Sequence, residues 1–265
     1  MNESMRNWPE ELLELLGQTE LTVNKIGYSG DHVYHVKEYK GAPAFLKIAP
    51  SIWWRTLRPE IEALDWLEGK LPVPKILYTA EHGGMDYLLM EALPGKDGSH
   101  ETIQAKPEFF VKLYAEGLRN IHGLDIRECP LSNGLEKKLR DAKRIVDESL
   151  VDPTDIKEEY DCTPEELYQQ LIAKKPATED PVFAHGDYCA PNLIIAGEKL
   201  TGFIDLGRAG VADRYQDISL AIRSLRHDYG DDRYKALFLE LYGLDGLDGL
   251  DEDKVKYYIW LDEFF

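Results

Sequence analysis

His185-Gly-Asp-Tyr-Cys-Ala-Pro-Asn192 sets an Asp and, five positions later, an Asn ahead of the apolar run Leu193-Ile-Ile195. A second run, Leu200-Thr-Gly-Phe-Ile204, then leads to Asp205-Leu-Gly207. These residue types at this spacing suit phosphoryl transfer. One carboxylate meets an incoming hydroxyl, while an amide oxygen and another carboxylate hold Mg²⁺ on a nucleoside triphosphate. Asp187 is thus the candidate catalytic residue, and Asn192 and Asp205 are the candidate metal ligands, because Mg²⁺ takes hard oxygen ligands and needs few from the protein. Singly, each would be an ordinary cap or turn residue; the argument rests on their spacing. His185 reads as a buried, hydrogen-bonded histidine that orients this loop.

The two apolar runs flank Ala196-Gly-Glu-Lys199, a turn-like segment, so they predict a hairpin that returns Asn192 and Asp205 to one end. Gly207 supplies a point at which the chain turns sharply.

Upstream, residues 8–16 have helical spacing, with acids in the first turn and Gly17 as a stop. Residues 21–36 read as strand, turn, strand, and 44–48 as a further strand carrying Lys47 between apolar neighbours. A lysine on an apolar strand needs a partner. Glu60, on a helix over 58–67, is the candidate, and such a Lys–Glu pair positions nucleotide phosphates in kinases. The turn Gly27-Tyr-Ser-Gly-Asp31 places Ser29 where it could cover phosphates, although an ordinary hairpin turn is the simpler reading of that segment alone. Residues 75–79 and 87–91 complete a five-stranded antiparallel sheet. Glu91-Ala-Leu-Pro-Gly95 is the predicted hinge between a nucleotide-binding lobe over 1–93 and a second lobe over 94–265. Adenine would lie there, with its edge on backbone groups of Glu91 and Leu93, Phe45 on its face and Met90 behind it. Phe45 and Met90 also read as simple core residues.

Beyond 107 the periodicity is helical, over 107–122, 132–150, 163–172, 213–227 and 254–264. The fold class is therefore α+β, with a larger, mainly helical second lobe. Asp155, Glu158, Glu159 and Asp161 read as an acidic loop, either a wall over the substrate or a solvated run. The Leu-Asp-Gly repeat over 244–251 reads as an expanded surface loop.

The chain has 265 residues and a net charge of -18, which argues against nucleic-acid binding and reads equally as a field that speeds encounter with a cationic partner or as charge that keeps the chain in solution. No run approaches the roughly 18 apolar residues of a membrane span. The first residues lack a secretory pattern, so the expected location is cytoplasmic. The cysteines at 129, 162 and 189 suggest neither a disulfide framework nor a zinc site. No obligate protein partner is evident.

These motifs resemble the aminoglycoside 3′-phosphotransferases, antibiotic-resistance kinases with a two-lobed, protein-kinase-like fold. The likeness runs through His185-Gly-Asp187, Asn192, Gly202-Phe-Ile-Asp-Leu-Gly-Arg208, Ala212-Asp-Arg-Tyr-Gln-Asp217 and Leu261-Asp-Glu-Phe-Phe265. It spans essentially the whole chain and is nearest the type IV members. The resemblance implies ATP as donor, ADP as product, Mg²⁺ as cofactor and an aminoglycoside of the kanamycin or neomycin kind as acceptor. It also implies that Asp187 meets the hydroxyl, that Asn192 and Asp205 bind Mg²⁺, and that Lys47, held by Glu60, grips phosphates beside Ser29. Arg208, Asp228, Glu263 and the Phe265 α-carboxylate would line the drug pocket, with Glu158 and Glu159 as a further wall. Two departures bear on drug range: Ala190 and His227 stand where some relatives carry acids. A kinase of another small alcohol, such as choline or a sugar, is the alternative.

Overall fold

Apolar alternation in the strands before residue 94 decides which side chains face the core and which face the other way. On β3 (Ala42–Pro50), Ala44, Leu46 and Ile48 are buried, whereas Phe45 and Lys47 point to the opposite face. The computed structural model describes residues 7–24, 32–244 and 249–265. These fall into two units, one of Met1–Pro94 with Gly202–Gly207 and one of Gly95–Thr201 with Arg208–Phe265.

In the first unit, α1 (Glu10–Leu16) is followed by β1 (Leu21–Asn24), β2 (His32–Tyr39), β3, α2 (Arg58–Leu67), β4 (Ile76–His82) and β5 (Met85–Glu91). The antiparallel sheet has the order β1-β2-β3-β5-β4. Trp8, Leu12 and Leu16 pack with Val36, Ala44, Leu46, Ile48 and Leu89, so α1 closes one face of the sheet. Gly17 ends that helix at φ 57, a conformation that suits glycine. On α2, Glu60 is buried beside Ala63, Leu64 and Leu67, while Glu62 is exposed. The register pairs Lys47 with Leu88 on β5 and Val33 on β2, so its stem lies in the middle of the sheet.

The second unit runs β6 (Lys96–Asp97), α3 (Glu101–Gln104), α4 (Pro107–His122), α5 (Leu135–Asp147), α6 (Pro153–Tyr160), α7 (Pro164–Ala173) and β7 (Pro181–Ala184). It continues with β8 (Leu193–Ala196), β9 (Lys199–Phe203, its last two residues counted with the first unit), β10 (Gly210–Asp213), α8 (Tyr215–Tyr229), α9 (Asp232–Tyr242) and α10 (Glu252–Asp262). The predicted hairpin forms, with β8 and β9 adjacent in the order β6-β8-β9. β7 pairs antiparallel with β10, Ala184 opposite Gly210, so the loop after β7 leaves from a fixed point. α7 starts with a capping box in which Thr163 and Glu166 satisfy each other's backbone donors.

Two differences from the sequence reading have physical causes. The acidic stretch expected as a loop folds instead as α6, because Asp152 caps it, Pro153 starts it and Ile156 is fully buried. α9 is an additional helix, buried through Tyr234, Phe238, Leu239 and Tyr242. Part of the Leu-Asp-Gly repeat, 245–248, lies outside the described residues, as does the turn holding Ser29. Among the described residues no helix is long and apolar enough to cross a membrane.

Candidate active site

The loop between β7 and β8 is built around a glycine. Gly186 adopts φ +88, and a Cβ there would sit 2.0 Å from the Arg208 carbonyl oxygen. Only glycine allows that approach, and its neighbours are pinned by a buried acid. Asp217 on α8 accepts from the backbone N–H of His185 at 2.6 Å and of Gly186 at 2.8 Å. His122, at the end of α4, adds an Nε2 contact to Asp217 at 3.1 Å, and its Nδ1 meets the Tyr242 hydroxyl at 2.8 Å. Burial by itself would raise the Asp217 pKa, but the His122 hydrogen bond and charge and the Gly186 N–H outweigh it, so the group is held below its ordinary value. A charged acid thus fixes the loop backbone from beneath.

Tyr188 fastens the loop to α4. Its hydroxyl donates to the Tyr114 carbonyl at 2.6 Å, the Tyr114 hydroxyl donates to the Tyr188 carbonyl at 2.8 Å, and the rings stack with centroids 4.7 Å apart. His185 is fully buried and its Nδ1 accepts from the Asp187 N–H at 3.3 Å. Asp187 is half-buried. Asn192 donates from Nδ2 to the Asp187 carbonyl at 2.9 Å and to its carboxylate Oδ2 at 3.0 Å. The amide nitrogen being committed to Asp187, Asn192 offers its Oδ1 as the remaining hard oxygen.

In the first unit Lys47 is the centre. Its ammonium donates to Glu60 Oε1 at 2.7 Å, Glu60 Oε2 at 2.9 Å and Asp205 Oδ1 at 2.6 Å. Burial would lower its pKa, but the carboxylates of Glu60 and Asp205 prevail and hold it well above the ordinary lysine value. Lys47 therefore stays charged, and Glu60 is the partner expected from sequence. The turn expected at Gly207 falls on Asp205 itself, which takes φ 64; Gly207 keeps an ordinary backbone. An aspartate tolerates this left-handed conformation better than most residues, so one residue provides both the bend and the carboxylate.

The nucleotide candidates need one correction. The Glu91 N–H donates to the Lys75 carbonyl at 2.9 Å, so it is not an exposed donor for a base. Met90 is 4% exposed and sits in the core opposite Phe45. Phe45 is half-buried, with the His35 ring edge-on at 5.2 Å. Leu93 is half-buried.

Of the drug-pocket candidates, Arg208 and Glu263 belong to one cluster at the end of α10. Arg208 Nη1 donates to Asp262 Oδ1 at 3.0 Å, Arg223 Nη2 donates to Asp262 Oδ2, and Arg223 Nη1 reaches Glu263 Oε1 at 3.2 Å. The Tyr160 hydroxyl donates to the same Glu263 oxygen at 2.9 Å. Burial raises the Glu263 pKa, only partly offset by Tyr160 and Arg223. Phe265 is exposed at 37%, with the Lys138 ammonium 4.9 Å from its ring centroid. Asp228 is held by Ser224 Oγ at 3.4 Å and His227 Nδ1 at 3.2 Å. Glu158 and Glu159 are exposed on α6. Ala190 is fully buried and its N–H donates to Ser224 Oγ at 3.1 Å. Sequence reasoning missed Tyr160, Arg223, Lys138 and His122. Only Tyr160 carried a signal, as the aromatic set within an acidic run.

An antiparallel sheet with a buried Lys–Glu pair in the first unit and a His-Gly-Asp loop in the second are each features of a phosphotransferase, and the profile of the phosphotransferase enzyme family (APH) matches residues 20–252. Within that class the chain belongs to the aminoglycoside 3′-phosphotransferases. It is 90% identical over 265 residues to an aminoglycoside 3′-phosphotransferase of Niallia circulans, covering 100% of both chains. It is 37% identical to one of Enterococcus faecalis, over 96% of this chain and 97% of that one. Among solved structures, a type VIII aminoglycoside-3′-phosphotransferase superposes with TM-score 0.82 at 33% identity, covering 93% and 94% of the two chains. APH(3'')-Id from Streptomyces rimosus, in complex with ADP and streptomycin, superposes with TM-score 0.78 at 25% identity over 96% and 97%.

Proposed function

We propose that the chain transfers the γ-phosphoryl group of ATP to the 3′-hydroxyl of a kanamycin- or neomycin-type aminoglycoside, conferring resistance in the cytoplasm, where ATP is available. The observation that carries this reading is the Asp187–Asn192 lock, in a chain 90% identical throughout to an aminoglycoside 3′-phosphotransferase. Asp187 orients the acceptor hydroxyl and takes its proton as the new P–O bond forms. The bond from the γ-phosphorus to the bridging oxygen breaks, and ADP leaves with that oxygen. Lys47, kept charged and aimed by Glu60, steadies the nucleotide phosphates. Asn192 Oδ1 and the Asp205 carboxylate have the oxygen chemistry that suits Mg²⁺. When bound, that ion neutralises phosphate charge. Arg208, Asp228, Glu263 and Phe265 border the drug, with Glu158 and Glu159 of α6 beside them. Phe45, Met90, Leu93 and the Glu91 carbonyl serve the base, and Ser29 the phosphates.

The transition state is loose and phosphate-centred, so positioning and charge neutralisation account for most of the rate. A coupled ADP-release assay across aminoglycosides, choline and simple sugars tests the acceptor class. Asp187→Ala is expected to lower kcat by at least ~10³-fold, at the scale of lost acid–base catalysis, while ATP affinity by calorimetry stays within about twofold. Near-normal turnover would refute the assignment.

A further inference from the structure

The two acids ending α10 differ in how fully they are engaged. Asp262 has both oxygens occupied, Oδ1 by Arg208 and Oδ2 by Arg223. Its side chain is 11% exposed. Glu263 is engaged on one side only. Oε1 takes the Tyr160 hydroxyl at 2.9 Å and Arg223 at 3.2 Å, whereas Oε2 has no hydrogen-bond partner among the described residues. A carboxylate held through one oxygen presents the other in a fixed direction.

Tyr160 differs from Arg223 in what it adds. A phenol whose pKa is raised, by burial first and then by Glu263, remains a neutral donor. It orients Glu263 without cancelling the charge that would attract an ammonium. Tyr160 is also the last residue of α6, so this single bond fastens the helix carrying Glu158 and Glu159 to the turn carrying Glu263.

We propose that Tyr160 is a positioning residue for the aminoglycoside: its hydroxyl holds Glu263 with Oε2 left for a drug ammonium and ties α6 to the end of α10. The inference rests on the reading that Glu263 receives an ammonium. Asp262, saturated by two guanidinium groups, is the frame of this corner. Fastening α6 before the drug arrives removes part of the ordering cost of binding.

Steady-state kinetics on the full chain with ATP and kanamycin test this, using Tyr160→Phe, Glu263→Gln and the double variant. Phenylalanine keeps the ring and removes only the donor. The expected result for Tyr160→Phe is a roughly tenfold rise in the kanamycin KM, the scale of one hydrogen bond to a charged group at a partly exposed site. Both kcat and the ATP KM should be unchanged. In the Glu263→Gln background the same change should add less than about twofold, because the interacting charge is gone. The proposal is overturned by an unmoved kanamycin KM in Tyr160→Phe, by an equal rise in both backgrounds, or by an ATP KM that moves in step. A Glu263→Gln enzyme with normal kanamycin KM would overturn the underlying reading as well. Glu263→Gln raising KM while Tyr160→Phe stays silent would overturn the tether alone.

Discussion

Lys138 is an anomaly at the level of a single side chain. It lies on α5 with 4% of its surface exposed and makes no hydrogen bond or ion pair among the described residues, its ammonium facing the Phe265 ring. Burial, and next the Arg208 guanidinium, pull its pKa from 10.5 down to about 8, against the attraction of Asp262. The unfolded chain therefore holds this proton up to a higher pH than the folded one. The contribution of Lys138 to stability is least favourable below pH 8, where the folded state must bury the charge, and improves as pH climbs from 8 toward 10.5. Lys138→Met removes the buried charge and keeps most of the volume. It should stabilise the chain at pH 7 by on the order of 1–2 kcal/mol, after allowance for the lost cation–π contact, with the gain fading by about pH 10. Urea unfolding at both pH values checks this, and a gain independent of pH would contradict it. The pairing of Lys47 with Glu60 was legible from sequence, since an apolar strand gives a lone lysine few other ways to be buried. The Lys138 environment was not, because its neighbours come from α10 and the β9–β10 connection, far along the chain.

Elements rather than residues carry the His-Gly-Asp loop. Gly186 marks the sharpest constraint, with positive φ and the Arg208 carbonyl oxygen where a Cβ would be. Gly186→Ala should displace the loop, cost on the order of 1–3 kcal/mol as a strained backbone does, and reduce kcat beyond what the lost stability explains. Melting temperature and turnover measured on the same sample separate the two, and normal kinetics would show that the loop yields. Local patterns predicted the strands of the first unit and the β8–β9 hairpin, because short-range alternation and a turn contain all the information needed. The pairing of β7 with β10 was invisible for the opposite reason. Both are four-residue strands, and their register depends on partners remote in sequence. In α6 charge obscured the helix, because Ile156 is its one fully buried apolar residue. The α9 spacing, with apolar residues at 234, 238, 239 and 242, is helical, yet the sequence reading passed over it.

Across the whole chain, a net charge of -18 distinguishes the two substrates. An aminoglycoside is a polycation and ATP a polyanion, so the protein's field speeds one encounter and opposes the other. The association rate of kanamycin, followed by stopped flow, should fall several-fold as salt rises from about 20 to about 300 mM, while that of ATP stays level or increases. Equal salt dependence of the two would exclude steering by the overall charge. Finally, the first unit is written in two pieces, its closing segment Gly202–Gly207 following more than a hundred residues of the second unit. On the ribosome, the sheet can emerge and pair early, but Lys47 must wait for Asp205 to leave the exit tunnel before its third contact exists. A nascent chain stopped short of residue 205 therefore carries Lys47 with Glu60 as its remaining carboxylate partner, and the small unit becomes whole only when synthesis is well into the large one.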